Sequence, residues 1–389
     1  MSKSGQWPLI LALWGAGLGA AMQYAKLSVI YDLLGDVYPQ GGVALGWLVS
    51  IIGGIGIALG VVAAMLVARV RYRRALLGAL WLGAVISLGQ ALLPPLPVML
   101  ALRVLEGISH LALVVAAPTL IAQIATDQQR GLALTLWSTF FAVAFAVMAW
   151  LGRPFALSAG IPALFALHAL YMAGFALYLS ARLRGLVDVE APPAFSIVQI
   201  IKTHRGIYRS ARVAAPAAGW LFYTFCFVSI LTVLPPYLDP SVRGAVMGAM
   251  PLVSIAISMT LGVFMLRRLA AVYVVMWGFG LSALCVLWLW IVPAAPLACL
   301  ALAGAMGLIQ GSSFAAVPQL NDSASARTEA NGAMAQMGNL GNTLGTPVMA
   351  MALAGWGYLS LPVLAGTAFV LGLVVHGFLA AQRRKLQCL

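Results

Sequence analysis

The sequence predicts an all-α membrane protein with twelve transmembrane helices in two pseudo-symmetric six-helix bundles. Composition is the first observation, because 63% of the 389 residues are hydrophobic and only 8% are charged, which indicates lipid as the main solvent. The spacing of uncharged runs is the second observation, and a weak internal repeat is the third. Hydrocarbon offers the backbone no hydrogen-bond partners, so spanning chains are helical or closed barrels, and these runs lack the alternation of barrel strands.

The uncharged runs give the number of spans, since a helix needs about 20 residues to cross the hydrocarbon core. Two runs, from Arg268 to Asp322 and from Glu329 to Arg383, are interrupted by Pro or Gly clusters and make two spans each. Segments 8–34 and 98–125 contain charges and make one span each. The other six spans lie between Asp36 and Arg69, Arg74 and Arg103, Arg130 and Arg153, Arg153 and Arg182, Arg212 and Asp239, and Arg243 and Arg267.

Basic residues predict the orientation in the membrane. The net charge of +13 could indicate a nucleic-acid partner, but the basic residues lie between apolar runs. Only Arg153 and Arg243 fall on one side, and the other side holds Lys3, Arg69, Arg71, Arg73, Arg74, Arg130, segment 182–212, Arg267, Arg268, Arg327, Arg383, Arg384 and Lys385. We therefore expect a bacterial inner (cytoplasmic) membrane protein with both termini cytoplasmic. The first apolar run lacks a clear cleavage pattern and is interpreted as a span rather than a signal peptide.

The longest hydrophilic segment lies in the middle of the chain and divides it. The predicted parts are an N-terminal bundle over residues 1–185, a cytoplasmic linker over 186–212 and a C-terminal bundle over 213–389. Residues 196–210 place apolar side chains against Lys202, His204, Arg205 and Arg209. This pattern fits a short helix on the membrane surface, and a solvated loop with one helical turn fits it as well.

An internal repeat supports two halves. A shift of 200 residues aligns Gly107 with Gly307 and Pro118 with Pro318, so that EGISHLALVVAAP lies over MGLIQGSSFAAVP. A shift of 201 then aligns the glycines at 131 and 332. Duplicated six-helix halves are a common way to build a transporter around a site at the membrane midplane.

Two local motifs carry a family resemblance. The first, GVVAAMLVARVRYRRALL at positions 60–77, has four arginines that are candidates for a cytoplasmic gating motif: Arg69, Arg71, Arg73 and Arg74. The second is RVLEGIS at positions 103–109. Over essentially its whole length the chain resembles the major facilitator superfamily, although Ala68 stands where that family's signature has an acidic residue and Arg71 where it has glycine. Of the Gly-Pro motif found in the family's proton-linked drug exporters, Gly152-Arg153-Pro154 is at most a remnant, which argues against a typical drug/proton antiporter.

Three charges lie within predicted spans, namely Lys26, Arg103 and Glu106, and such charges are costly enough to indicate function. The resemblance implies that spans 1, 4, 7 and 10 line a central cavity, which would turn all three toward water. Two cations against one carboxylate would suit an anionic or zwitterionic substrate, with Gln23 and Tyr24 adding hydrogen bonds.

Proton coupling is the second role predicted for the same region. A carboxyl at Glu106 changes its proton affinity when a nearby cation moves, and His110 is its titrating partner. The alternatives are a salt bridge that only holds spans 1 and 4 together, and a histidine that only packs. His168 and His376 are interpreted as structural.

The second half has no charge at membrane depth, so polar and aromatic groups should line its part of the site. Tyr223 in span 7, Gln310 in span 10, and Asn339 and Asn342 in span 11 are the candidates. The two asparagines recur with Gln336 at a spacing of three. The same span carries glycines at 338, 341 and 345, for which a close helix contact is the alternative.

The sequence therefore predicts a secondary active transporter that moves a small organic anion or zwitterion, metal-chelating carboxylates included, coupled to protons and working by alternating access. The alternative is a proton-coupled exporter of amphipathic compounds, for which 11 Trp and 16 Met supply an adaptable apolar cavity. The sequence lacks HExxH, GxSxG and Gly-rich phosphate motifs, which argues against an enzyme. We expect no cofactor, no metal and no nucleic acid. The expected partners are substrate, protons and lipid, with the chain acting as a monomer. The four cysteines stand alone and are interpreted as packing residues.

Overall fold

A computed structural model describes residues 6–60, 62–184 and 197–387, and this part of the chain is helical without a β-strand. The predictions made for Lys3 and for the boundary between 185 and 186 lie outside the described residues. So does Cys388. Contacts between Cα atoms divide the helices into two compact units. The first takes Met1–Ile55 and Val62–Ala194, and the second takes Gly56–Val61 and Phe195–Leu389.

The first unit is built around long apolar helices that are joined by short ones. Its core includes side chains from the helices Trp7–Ser28, Tyr72–Ala91, Leu96–Ile124 and Ile161–Arg182. The helices of this half of the chain are α1 Trp7–Ser28, α2 Leu34–Val37, α3 Ala44–Ser50, α4 Gly54–Leu59, α5 Ala63–Val70, α6 Tyr72–Ala91, α7 Leu96–Ile124, α8 Asp127–Ser138, α9 Phe140–Val147, α10 Arg153–Ala159 and α11 Ile161–Arg182, with 3-10 turns at Tyr31–Leu33 and Ile51–Gly53 and a π-helical turn at Met148–Gly152.

Apart from Gly56–Val61, the second unit begins with a helix in the predicted linker. Its helices are α12 Ile197–Arg209, α13 Ala214–Val233, α14 Pro240–Ile257, α15 Val263–Leu266, α16 Ala271–Ile291, α17 Pro296–Leu320, α18 Ala324–Trp356 and α19 Ser360–Gln387, with a 3-10 turn at Pro235–Tyr237 and a π-helical turn at Ser258–Gly262. On α12, Ile207 is buried in the core of this unit while Lys202 and Arg205 are exposed. The sequence-based domain boundaries stay predictions.

Ten helical segments of the described chain are long and apolar enough to cross a membrane. Two further segments fit the second and eleventh positions. The first is the interrupted series α3 to α5, and the second is α18, whose 33 residues include several amides. Together these segments agree with the predicted all-α membrane fold of twelve spans. Several of the long helices have proline in their first turn, where a missing backbone N–H costs no hydrogen bond.

The internal repeat has a structural counterpart within each unit. A Cβ atom on Gly107 of α7 would collide with the carbonyl oxygen of Ile52, and one on Gly307 of α17 would collide with that of Ser254. Each glycine therefore lets its helix approach the backbone of the neighbouring span. Because the same contact recurs at equivalent positions, the alignment of these two glycines reflects shared packing rather than chance.

Candidate functional site

Four helices of the first unit bring their polar residues to one buried cluster. Lys26 lies in the last turn of α1, where the helix dipole favours a cation. Arg103 and Glu106 lie three residues apart on α7 and therefore on one face. Ser87 and Gln90 come from α6 and His168 from α11. All of these side chains are buried, and those of Lys26, Arg103 and Glu106 have no accessible surface.

The Lys26 ammonium uses all three of its hydrogen-bond donors. It donates to Glu106 Oε1 at 2.6 Å, to Gln90 Oε1 at 2.6 Å and to Ser87 Oγ at 2.8 Å. The ring of Phe165 also lies 5.4 Å from Nζ, in the range of a cation–π interaction. A lysine has three N–H donors and no acceptor. Lys26 is therefore fully satisfied by its own protein.

Arg103 connects three helical segments through its guanidinium group. Its Nε donates to the Leu48 carbonyl at 2.6 Å, its Nη2 to that of Val49 at 3.0 Å and its Nη1 to that of Gln23 at 2.7 Å. The same Nη1 forms an ion pair with Glu106 Oε2. The planar fork of arginine suits such simultaneous contacts. Arg103 thus fixes the end of α3 and the last turns of α1 against α7.

The Glu106 carboxylate is the common partner of both cations. Oε1 accepts from Lys26, while Oε2 accepts from Arg103 and from Gln90 Nε2, the latter at 2.8 Å. With two cations and one anion the cluster carries a net charge of +1. Buried charges are stable only when paired and hydrogen-bonded. Any event that neutralises Glu106 would leave two cations without a counter-ion.

A short chain of hydrogen bonds leads from Lys26 to α11. Ser87 Oγ lies 2.7 Å from His168 Nδ1, and His168 Nε2 lies 3.0 Å from the Gly19 carbonyl oxygen. A carbonyl only accepts, so Nε2 carries the hydrogen and Nδ1 accepts from the serine hydroxyl. This order assigns a neutral His168. A proton arriving at Nδ1 would break its bond with Ser87 and disturb the lysine.

The other residues predicted in this half lie beside the cluster. Gln23 Nε2 donates to Ser109 Oγ at 2.9 Å, and its Oε1 has no hydrogen-bond partner among the described residues. His110 Nδ1 lies 3.0 Å from the Ala20 carbonyl oxygen, and its ring meets that of Tyr24 edge to face at 5.1 Å. Within the part of the chain that the structure describes, the buried Tyr24 hydroxyl likewise lacks a hydrogen-bond partner. Buried unpaired polar atoms are rare, and here two of them border the charged cluster.

In the second unit, two of the predicted residues meet through a third. Tyr223 lies within hydrogen-bonding reach of Ser254, whose Oγ donates to Gln310 Oε1 at 3.4 Å. Tyr223 also stacks on Trp220 and Phe227, with ring centroids 4.6 and 5.5 Å apart. A small apolar cavity lies beside this group and is lined by Phe227, Ile230, Leu231, Met250, Pro251, Ala303 and Met306. The arrangement offers hydroxyl and amide groups next to aromatic and thioether side chains.

The glycines of α18 allow a close contact between helices, which was the alternative interpretation of these glycines in the sequence. A Cβ atom on Gly341 or Gly345 would collide with backbone atoms of α13, including the Phe225 carbonyl oxygen in the case of Gly345. The Asn339 amide donates back to the Ala335 carbonyl at 2.8 Å and lies against Gly56. Asn342 is half-buried on the same helix.

Gln336, one turn before Asn339, contacts two other helices through its side-chain amide. Its Oε1 accepts from the Tyr208 hydroxyl at 2.7 Å, and its Nε2 donates to the Ile57 carbonyl at 2.9 Å. The same Nε2 lies 3.3 Å from His204 Nε2. Burial raises the pKa of Tyr208 to about 12, so its phenol remains a donor. Gln336 thereby ties the linker helix α12 to α18.

The predicted gating arginines surround a backbone turn between α5 and α6. Arg71 has a φ angle of 75°, a conformation that side chains with a Cβ atom rarely adopt. Ala68 is buried and supplies no carboxylate, and Arg73 Nη2 donates to the Ser180 carbonyl at 3.4 Å. Arg69 and Arg74 are exposed. Arginine therefore occupies a turn position that favours glycine.

Sequence reasoning identified part of the cluster and missed the rest. It named Lys26, Arg103 and Glu106, which do meet, but expected them to face water, whereas the structure encloses them completely. It missed Ser87 and Gln90, and His168 was assigned to packing alone. Gln90 could have been noticed as the single amide of α6, whose residues after the basic first turn are otherwise apolar or small. The connection from Ser87 to His168 has no signature in the sequence because two different helices supply it.

Comparisons with known proteins give one family match and several similar structures. The sequence model described as Major Facilitator Superfamily matches residues 9–346. A bacterial homologue of the human lysosomal transporter Spinster, inward-facing and unoccupied, gives a TM-score of 0.79 at 13% identity over 100% of this chain and 99% of that chain. Its occupied inward-facing form gives 0.76 at 15% identity over 99% and 98%.

A variant of the E. coli fucose:proton symporter gives a TM-score of 0.66 at 13% identity, over 96% of this chain and 99% of that chain. At such identities the likeness concerns the fold. No curated protein matches the sequence.

Proposed function

The chain belongs to the Major Facilitator Superfamily of membrane transporters, and on that premise we propose a proton-coupled secondary transporter for a small organic anion or zwitterion. One observation carries the proposal, the enclosed cluster of Lys26, Glu106 and Arg103. The packing of these helices does not need a lysine at this depth, since the Arg103 guanidinium already joins α7 to α1 and α3 through its bonds to their backbone carbonyls. The surplus cation is the part that calls for a function.

Glu106 is the proposed proton site. Its two oxygens bind both cations, so in this arrangement the carboxylate is favoured over the acid. A movement of α1 relative to α7 would weaken both contacts and raise the affinity for a proton. Protonation of Glu106 would then favour the conformation in which α1 has moved, and the movement would favour protonation. Alternating access coupled to protons requires such a linkage. That a structural neighbour is named a fucose:proton symporter agrees with such coupling.

The substrate class follows from the positive charge that would be left unpaired when Glu106 is protonated. A protonated Glu106 leaves Lys26 and Arg103 with a combined charge of +2, and an anion that enters at that stage would replace the lost counter-ion. A carboxylate has the geometry for both groups. Small carboxylates, zwitterions and metal-chelating carboxylates are the proposed substrates. The Gln23 Oε1 and the Tyr24 hydroxyl, which have no hydrogen-bond partner among the described residues, are the groups proposed to bond the rest of the molecule.

A second candidate, export of amphipathic compounds, is favoured by a different observation. All three Lys26 donors are already occupied within the protein, which leaves the second unit as the surface for a ligand. There Tyr223, Phe227, Met250 and Met306 combine aromatic and thioether groups, which adapt to varied apolar molecules. In this case the cluster in the first unit would handle protons only.

Transport in right-side-out and inverted vesicles distinguishes the two candidates. The panel consists of radiolabelled carboxylates and cationic dyes, each with an imposed pH gradient of either sign. Lys26→Ala is compared with the parent and with Lys202→Ala, which removes an exposed lysine from α12. The first proposal predicts carboxylate transport driven by the gradient, lost in Lys26→Ala and retained in Lys202→Ala. Movement of cationic dyes alone, unaffected by Lys26→Ala, would replace it with the exporter.

The cytoplasmic position of both termini in a bacterial inner membrane, the monomeric state and the roles of individual site residues belong to this proposal as well. Labelling of single cysteines placed at exposed Arg205 and at Arg243 by a membrane-impermeant maleimide tests the orientation. The proposal expects Arg243→Cys to react in intact cells and Arg205→Cys to react only after lysis.

A further inference from the structure

A cluster of arginines lies where the ends of α13, α16 and α19 meet in the second unit. Arg383, near the end of α19, donates from Nη1 to the Ala211 carbonyl oxygen at 2.9 Å, just before α13. Arg212 is the next residue along the chain and therefore lies beside the carbonyl group that Arg383 contacts. Arg384 donates from Nη2 to the Tyr273 hydroxyl at 2.6 Å, in the first turn of α16. Three arginines from two distant parts of the sequence therefore lie at the same end of this unit.

No described carboxylate neutralises this cluster, since none of the three arginines forms an ion pair within the described ranges. The acidic residues described for this unit are Asp239, before α14, and Asp322 and Glu329, around the start of α18. Like charges that converge without a counter-ion repel one another and attract an anion. The general bias of basic residues toward cytoplasmic loops would explain on which side of the membrane these arginines lie. It would not explain why arginines from two distant parts of the sequence lie close together.

The accessible parts of the cluster are suited to a phosphate group. Arg383 is buried, with 9% of its surface exposed, and its bond to the Ala211 carbonyl fixes its position. Arg212 and Arg384 are exposed. A guanidinium group has five N–H donors in a planar fork, so Arg384 keeps free donors beside its bond with Tyr273. Such forks bind phosphate oxygens in a bidentate manner. The Tyr273 hydroxyl completes a rim of donors at this end of the unit.

An apolar surface continues from the cluster along the helices. Tyr273, Trp277 and Leu281 follow one another at intervals of four on α16, and they are 42%, 58% and 37% exposed. Val374 and Phe378 on α19 are likewise exposed, at 57% and 67%. Side chains at a spacing of four share one helix face. A ligand with a charged head at the arginines could therefore lay a hydrocarbon chain on this face.

We propose that the end of the second unit formed by α13, α16 and α19 binds an anionic phospholipid. Its headgroup phosphate bonds Arg212 and Arg384, with Arg383 as the anchored charge behind them, and an acyl chain follows Tyr273 and Trp277. The predicted cytoplasmic position agrees with the leaflet in which anionic lipids attract basic clusters. This binding is independent of the transported substrate.

The test uses the purified full chain in a non-ionic detergent and native mass spectrometry to measure bound lipid. The probes are phosphatidylglycerol, phosphatidylcholine with the same acyl chains, and inorganic phosphate as a competitor. Arg212→Gln combined with Arg384→Gln removes the two exposed donors. Arg182→Gln combined with Arg184→Gln removes two exposed arginines from the first unit and serves as the control. Size-exclusion profiles verify that each variant is folded.

We expect phosphatidylglycerol to bind the parent at least ten times more tightly than phosphatidylcholine. The variant without Arg212 and Arg384 should lose affinity for it by about 30-fold, at roughly fivefold for each basic group near a membrane surface. The control pair should retain the affinity of the parent. Equal binding of both lipids, or equal losses in the two double variants, would overturn the proposal. Complete competition by inorganic phosphate at equal concentration would show a site for free anions instead.

Discussion

Neutralising Glu106 should destabilise the first unit more than any other single change in its polar cluster. Glu106→Gln keeps the shape of the side chain but raises the net charge of the cluster from +1 to +2. The Lys26 ammonium lies 2.6 Å from the carboxylate, and neither group is exposed. At an effective dielectric constant of 20, unit charges at this separation attract one another by about 6 kcal/mol, which is an upper bound on the loss. Removing one member of a buried ion pair costs about 3–5 kcal/mol, and we expect Glu106→Gln to lower the free energy of unfolding by an amount in that range.

The sign of the charge effect can be isolated by a second substitution. Lys26→Met alone leaves Arg103 and Glu106 as a neutral pair, and the cost should be about 1–3 kcal/mol, for the acceptors left without a donor at Ser87 and Gln90. Combined with Glu106→Gln it restores the parent charge of +1. The double variant should therefore be more stable than the sum of the single effects by about 2 kcal/mol.

The assay is equilibrium unfolding in mixed dodecyl sulfate micelles, followed by circular dichroism, which gives the free energy of unfolding for each variant. Asp322→Asn, which neutralises an exposed carboxylate, is the control and should change stability by less than about 0.5 kcal/mol. Strictly additive effects in the cycle, or a Glu106→Gln variant as stable as this control, would refute the argument from buried charge.

Three further predictions concern packing and backbone geometry. Arg71→Gly should raise the free energy of unfolding by about 1 kcal/mol, because the residue has a φ angle of 75°; chemical unfolding that shows a loss instead would mean that the arginine contacts outweigh the strain. Gly345→Ala should cost about 1–3 kcal/mol through collision with α13, while Gly355→Ala on the same helix, with open space around it, should not lower the thermal midpoint. Arg153→Lys should cost about 1 kcal/mol by replacing a two-pronged contact with Asp32, at 2.6 and 2.7 Å, with a single one, and equal stability of Arg153→Lys and parent would contradict this.

The sequence predicted the fold through features that act locally along the chain. Apolar runs of span length and proline near helix starts need no knowledge of tertiary contacts, and both reappear in the helix bounds. The glycines at 107 and 307 were detectable because close helix approach requires the smallest residue on each side of the repeat. Spans, helix starts and close helix contacts can therefore be predicted from the spacing and composition of residues.

The candidate site was less predictable because its geometry depends on which helices are neighbours. Arg103 and Glu106 were paired correctly since three residues on one helix fix their distance. Whether Lys26 faces water or protein depends on the rotation of α1 about its axis, which the spacing of residues does not determine. In the structure the Lys26 ammonium donates its three hydrogen bonds to side chains of α6 and α7. His168 joins the cluster through the packing of α11 against α6 and α1.

The most direct test of the proposed coupling measures proton movement during transport in proteoliposomes. A carboxylate identified in the vesicle panel is added outside, and a trapped pH-sensitive dye reports internal acidification or alkalinisation. In parallel, exchange of labelled for unlabelled substrate is measured without any gradient. Folded fractions of parent and Glu106→Gln are matched by size-exclusion chromatography. The account predicts that the parent moves protons with substrate, whereas Glu106→Gln exchanges substrate but moves no protons. Proton movement in Glu106→Gln equal to that of the parent would contradict it.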